Sequence, residues 1–237
     1  MDTATGTLYL IPSVIAEDTA EQVLSPQIRE VMRHTTYFLV ENVRTARRFI
    51  SSLQMGIVID SLHFELLTKD SSVAEVQAAL APLKKGENIG VLSEAGCPGI
   101  ADPGALAAQV AHDFKAKVVP LVGPSAIFLT LMASGMSGQQ FAFHGYLPID
   151  AKERTQAIKQ LEQESGRKKQ AQLFIETPYR NQKLLDDLIQ TLQPGTRLCI
   201  GKNLTAADEE VISKPIAAWR KEKTVLDKVP VVFIFQA

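Results

Sequence analysis

The chain has 237 residues, enough for one large domain or two of ordinary size. Its 46% hydrophobic and 22% charged residues are the balance of a globular protein. A formal net charge of −1 gives no global basic field for nucleic acid, and the apolar runs stop far short of the ~18 residues that suggest a membrane span.

No basic segment followed by an apolar core opens the chain, so no signal peptide is expected. Cys97 and Cys199 have no framework spacing and fit a reducing cytoplasm. Residues 7–11 (TLYLI) read as a short apolar strand ending at Pro12. Residues 26–33 read as a helix and 36–40 (TYFLV) as the next strand. A helix over 43–53 follows, with Arg44, Arg47 and Arg48 on its polar side. Ser72 and Glu75 form an S-x-x-E capping box for a helix reaching about Leu83. Residues 88–93 are a buried-type strand, followed by the loop "SEAGCPGIADPG" (93–104) and a helix from about Ala105. Residues 117–122 are another strand, running straight into "GPSAIFLTLMASG". Strand–helix alternation with continuous apolar strands predicts a parallel α/β sheet covered on both faces.

The second half changes character. Residues 141–146, 172–176, 197–202, 209–213 and 229–236 read as strands, with helices only over 153–164 and 179–192. Consecutive strands without a helix between them predict antiparallel pairs. The fold class is therefore α/β: an N-terminal parallel α/β domain over residues 1–121, then a C-terminal α+β domain with a mixed sheet over 122–237. "GRKK" (166–169) reads as a solvated loop.

Several motifs are missing. No G-x-G-x-x-G follows a strand. Gly195, Gly201 and Lys202 imitate a phosphate loop with one residue too many, and Asn203 stands where Ser or Thr would ligate magnesium. The four histidines form no pair at metal-ligand spacing, so no metal is assigned, and no G-x-S-x-G elbow supports a serine hydrolase. What remains is three loops, each leaving a strand end: residues 12–18, 93–104 and 123–126. In open parallel sheets, ligands sit outside the carboxyl ends of the strands. Gly96, Gly99 and Gly104 permit close backbone approach, Pro98 and Pro103 stiffen the loop, and Ser125 suits the N-cap of the next helix.

"SEAGCPGIADPG", "GPSA", "FAFHGYLP" and "FIETPYR" resemble the tetrapyrrole methylase superfamily of S-adenosylmethionine (SAM) methyltransferases. Within it they are most similar to the branch that 2′-O-methylates a cytidine ribose of 16S ribosomal RNA. The resemblance runs from "GTLYLIP" to "VPVVFIF". It implies two domains, a cytoplasmic homodimer active in rRNA processing, and SAM folded into the cleft between the domains, with S-adenosylhomocysteine as product. It further implies that Pro12 borders the cofactor, that Ser93, Glu94, Ala95 and Gly96 wrap its methionine part beside Ile100, and that Ser125 and Ala126 form a second cofactor loop. Thr177 and Pro178 match a segment that contacts the adenosine.

On the acceptor side this chain departs from the branch. Ala16 and Glu17 follow Ile15 where the branch has Gly-Asn, and Asn42 and Val43 stand between Glu41 and Arg44 where it has Asp-Thr. An Arg-Glu-x-Thr-Lys stretch appears as Lys202 to Ala206, followed by Glu209 and Glu210. Methyl transfer from a sulfonium needs mainly positioning, and a general base adds about 10²–10⁴-fold for a weakly nucleophilic hydroxyl. Glu94 and Glu41 are the catalytic candidates, with Glu176 a further acid. Arg44 and Arg180 are the candidate phosphate contacts. Tyr179 reads as a capping aromatic, His144 as a core residue, and Cys97 as a small residue filling space. The expected acceptor is ribosomal RNA in the small subunit. A tetrapyrrole precursor, or SAM binding without transfer, stays open as an alternative.

Overall fold

The computed structural model describes residues 5–226 and 228–237. It divides into two compact units, Met1–Ser125 and Ala126–Ala237; the sequence pattern sets the domain division between residues 121 and 122.

The first unit contains, in order, β1 (Thr7–Ile11), α1 (Ala20–Val23), α2 (Pro26–Arg33), β2 (Tyr37–Val40), α3 (Val43–Ser52), β3 (His63–Leu66), α4 (Val73–Ala79), β4 (Ile89–Leu92), α5 (Gly104–Asp113) and β5 (Lys117–Pro120). The sheet order is β3-β2-β4-β1-β5. Every pair in it is parallel, as the alternation predicts. All four residues of β4 are buried, the mark of a strand covered on both sides. One face packs Ile11 and Phe38 against Ile28 and Met32 of α2 and Ile50 of α3. The other packs Leu8, Leu39 and Val91 against Val76 of α4 and Val110 of α5. Local signals set the helix starts. Ser72 and Glu75 form the capping box of α4. Asn42 caps α3, its Oδ1 accepting from the amides of Arg44 at 2.9 Å and Thr45 at 3.2 Å. Asn in place of the branch's Asp therefore keeps the cap. Two short elements escape the sequence pattern: α1, and strand β3, whose end residues His63 and Leu66 are exposed and whose middle two are only partly buried.

The second unit contains α6 (Ala126–Ser134), β6 (Phe141–Tyr146), α7 (Ala151–Lys168), β7 (Ala171–Ile175), α8 (Asn181–Thr191), β8 (Arg197–Lys202), β9 (Glu210–Pro215), α9 (Ile216–Trp219) and β10 (Val231–Gln236). Its sheet runs β6-β7-β10-β8-β9. The β6–β7 pair, bridged by α7, is parallel; the other pairs are antiparallel. Alternating residues of β10 serve two cores: Val231, Phe233 and Phe235 face α8 and Trp219, while Val232 and Ile234 face Ile127 and Leu131 of α6. "GRKK" is not a loop. It forms the end of α7, where Lys169 adopts φ 54 and donates its amide to Ser165 as the cap. Ser165 is fully buried and its Oγ donates to Gln170 at 2.7 Å, which holds the last turn.

Candidate active site

The ends of β1, β2 and β4 are in register, with Leu92 opposite both Ile11 and Val40. Pro12, Glu41 and Ser93 therefore leave the sheet at one level on one edge. From β1 the chain crosses over α1 and α2 to reach β2; from β4 it crosses over α5 on the other face to reach β5. Adjacent loops departing to opposite faces make the crevice where open α/β sheets take ligands. A cavity of about 600 Å³ opens there, lined by Ser13, Glu41, Arg48, Phe49, Ser93 and Glu94 among others.

The loop after β4 owes its shape to its small residues. Gly96 and Gly99 sit at φ 80 and 81, and Ala101 at φ 61. The Asp102 carboxylate gathers this turn, with Oδ1 accepting the Gly104 amide at 2.8 Å and the Gly99 amide as well. Two contacts then tie the loops together. The Ser13 amide donates to Gly96 O at 3.0 Å. The Cys97 thiol donates to Pro124 O at 3.2 Å and lies 3.5 Å from Gly123 O. Cys97 thus does more than fill space, and burial beside the charge of Asp102 pushes its thiol up. Gly123 closes the set: a Cβ there would stand 2.2 Å from Pro12 Cβ, so only glycine lets the third loop lie flush on the first.

Ser93 is buried and its Oγ accepts from the Ala95 amide at 3.3 Å. Glu94 and Ala95 are exposed at the cavity, Gly96 is buried, and Ile100 is 40% exposed. Glu41 Oε1 accepts the Glu94 amide at 3.4 Å. Burial pushes the Glu41 carboxyl up; the Glu94 amide opposes this, and the charges of Asp102 and Glu94 add to it.

The three arginines of α3 do not act alike. Arg47 pairs with Asp60, and Arg48 lies 3.1 Å from Glu17. Arg44 is exposed, with no ion-pair partner among the described residues. The cavity itself carries Glu17, Asp18, Glu21, Glu41 and Glu94 against Arg48 alone, so its field is negative.

In the second unit, Ala126 is the first residue of α6, and Thr177 and Pro178 follow β7. Glu176 is not a free base. Its side chain is 3% exposed, and Oε1 accepts from the Thr177 amide at 2.7 Å and from Arg180 at 3.0 and 2.6 Å. Arg180, sought as a phosphate contact, is engaged by that carboxylate. Tyr179 does not cap anything: it is 79% exposed, with the Lys228 ammonium 5.1 Å from its ring centre. His144 lies 2.6 Å from the buried Gln172, a core hydrogen bond. The stretch that departs from the branch folds on itself, Asn203 binding Asp208 at 2.7 Å and the Thr205 amide binding Glu209 at 2.8 Å. Ser13, Arg48 and Phe49 line the cavity without having been singled out as site residues. For Ser13 the signal was its place directly after Pro12 in the first loop.

No family model matches the sequence. It is similar to proteins named ribosomal RNA small subunit methyltransferase I. The one from Escherichia coli O157:H7 is 27% identical over 226 residues, covering 93% of this chain and 74% of that protein. The one from Halalkalibacterium halodurans is 29% identical over 224 residues, covering 93% and 73%. The fold is that of the methyltransferase CobJ, with a TM-score of 0.63 at 16% identity over 98% of this chain and 95% of the other. Uroporphyrin-III-C-methyltransferase from Thermus thermophilus aligns with a TM-score of 0.55 at 14% identity over 98% and 92%.

Proposed function

We propose that this chain, a homologue of the ribosomal RNA small subunit methyltransferase I proteins, is a SAM-dependent methyltransferase that methylates the 2′-hydroxyl of a cytidine ribose in small-subunit ribosomal RNA. The observation that carries the reading is similarity to those proteins over more than nine-tenths of the chain, coinciding with a polar cavity at the sheet's switch point. The same reading has the protein act in the cytoplasm as a homodimer. No helix among the described residues is long and apolar enough to cross a membrane.

The first unit's residues suit the cofactor's chemistry. SAM carries a sulfonium and an ammonium, and Glu41 and Glu94 bring carboxylates to the loop ends. Ser93, Glu94, Ala95 and Gly96, with Pro12, Ile100 and Ser125, are the residues of this unit that would hold it; when bound it supplies the methyl group. Small side chains and backbone groups dominate that set, which suits positioning more than covalent chemistry. Glu41 is the better proton acceptor of the two catalytic candidates. It is partly buried with its carboxyl pushed up, so its carboxylate draws a proton more strongly than a solvated glutamate does. Glu94 is exposed and fixes Glu41 through its amide. Arg44 is the outward cation for a phosphate, while the negative cavity repels one. That field also disfavours a tetrapyrrole precursor, which is a polycarboxylate.

The experiment offers tritiated SAM with small subunits from cells lacking the gene, with the same RNA stripped of protein, and with a tetrapyrrole precursor. Label should enter the ribose of assembled subunits. Label in the tetrapyrrole alone, or in none of the three despite tight SAM binding, sinks the reading.

A further inference from the structure

Among the described residues, the cavity at the ends of β1, β2 and β4 is lined by one buried side-chain polar atom without a hydrogen-bond partner. Ser13 is 3% exposed and lines the cavity, and its Oγ has no hydrogen-bond partner among the described residues. Its backbone amide is already committed to Gly96, so the strand end is held in place and only the side chain is left over. A buried hydroxyl without a partner is costly, and when it faces a cavity, a ligand atom is the natural partner.

The surroundings say what kind of atom. Five carboxylates line the same space, and its one arginine is taken by Glu17. A phosphate is repelled there. A neutral group that donates or accepts hydrogen bonds is not, and a serine hydroxyl serves either role. Position adds a second restriction. Ser13 leaves β1 and Glu41 leaves β2, and these strands flank β4 in the sheet. Two strand spacings separate them by about 10 Å. That gap takes one sugar-sized group with a polar contact on each side, over the buried Ser93 that follows the middle strand.

We propose that Ser13 is an acceptor-binding residue, its hydroxyl pairing with a neutral polar atom of the acceptor nucleoside on the side opposite Glu41. This rests on the reading of the protein as an RNA methyltransferase. It assigns to the first loop a contact with the acceptor, separate from the loop's packing against Gly96 and Gly123. Phosphate recognition stays outside the cavity, with Arg44.

The test uses Ser13→Ala and Ser13→Thr in the full chain, with undermethylated small subunits as acceptor. Ser13→Ala should raise KM for the subunits roughly 3- to 30-fold, leave the affinity for S-adenosylhomocysteine unchanged, and leave the salt dependence of subunit binding at the wild-type slope. Ser13→Thr, which keeps the hydroxyl, should restore most of the KM. An unchanged KM in an active, folded Ser13→Ala variant overturns the proposal. So does weakened S-adenosylhomocysteine binding, which would make Ser13 a cofactor residue. A shallower salt slope, the sign of a lost phosphate contact, overturns it as well. A wild-type protein that labels no small subunits refutes the functional reading itself, and this assignment with it; the wild-type control separates the two failures.

Discussion

Glu41 Oε1 accepts the backbone N–H of Glu94 at 3.4 Å, which fastens the residue after β2 to the residue after β4. The bond fixes the carboxyl group that burial has pushed up. A base must be ionised to act, so activity should rise with pH through a value above the ordinary glutamate pKa of 4.5. Glu41→Gln should lower kcat about 10²–10⁴-fold with S-adenosylhomocysteine affinity retained. The raised carboxyl also sets a sign for stability. Its contribution is present below the unfolded value and is lost as pH climbs through the folded one, so ionised Glu41 burdens the fold at neutral pH. Glu41→Gln should therefore melt higher than wild type at pH 7. A variant that is slower and less stable would contradict this.

Gly96 is tested by adding one methyl. The residue sits at φ 80, and a Cβ there would lie 3.0 Å from the backbone oxygen of Pro124. Gly96→Ala should cost about 1–2 kcal/mol from the left-handed backbone alone, and shifting the loop should weaken S-adenosylhomocysteine binding roughly tenfold or more. Calorimetry showing wild-type affinity in the variant would move the cofactor away from this loop.

Arg44 and Arg47 share one helix but differ in partners, since Arg47 is held by Asp60. Arg44→Ala should weaken binding to small subunits and reduce the slope of log K against log salt by about one. Arg47→Ala should change that slope little. Equal effects from both would mean that the ion pair with Asp60 is exchanged for RNA on binding.

Asp187 of α8 governs stability in acid. Burial works against its charge, yet hydrogen bonds from Lys183 and Arg154 outweigh that and hold its carboxyl below the usual range. Stabilisation from such a group is present above its unfolded value and is lost as pH falls through the folded one. Asp187→Asn should be destabilised at pH 7, where it leaves the buried Arg154 short of a partner. The gap to wild type should close as the pH falls below 4. Melting curves across that range decide it.

Much of the fold was legible because the strands are apolar runs of four to six residues with punctuated ends, as in "TLYLI" before Pro12. The end of α7 departs from its sequence pattern for a local reason: Gly166 and three basic residues look like a loop, but the buried Ser165 holds the last turn and the left-handed Lys169 caps it. Strand β3 escaped because none of its residues is buried and its exposure does not alternate: His63 and Leu66 at its ends are exposed and the two between are partly buried. At the site, the loop 93–104 announced itself through its glycines. Pairing was not legible. Which arginine is free, Arg44 or Arg47, depends on Asp60, which arrives from a turn outside the helix. The orphaned hydroxyl of Ser13 is a property of three loops meeting, and no single stretch of sequence contains it.

The place of β1 in its sheet has a consequence for how the protein is made. Leu8 of β1 has Ile89 of β4 and Val118 of β5, both made much later, opposite it. A growing chain therefore carries an apolar strand with nowhere to dock until β4 has emerged, and its other edge waits for β5. Pairing over such sequence distances is slow and leaves sticky edges open in the interval. The second unit is less exposed to this, because β8 and β9 are neighbours in sequence and close on each other directly. A chain interrupted before β5 would leave β1 an open edge, so the first unit should become resistant to proteases only after residue 120 has been added.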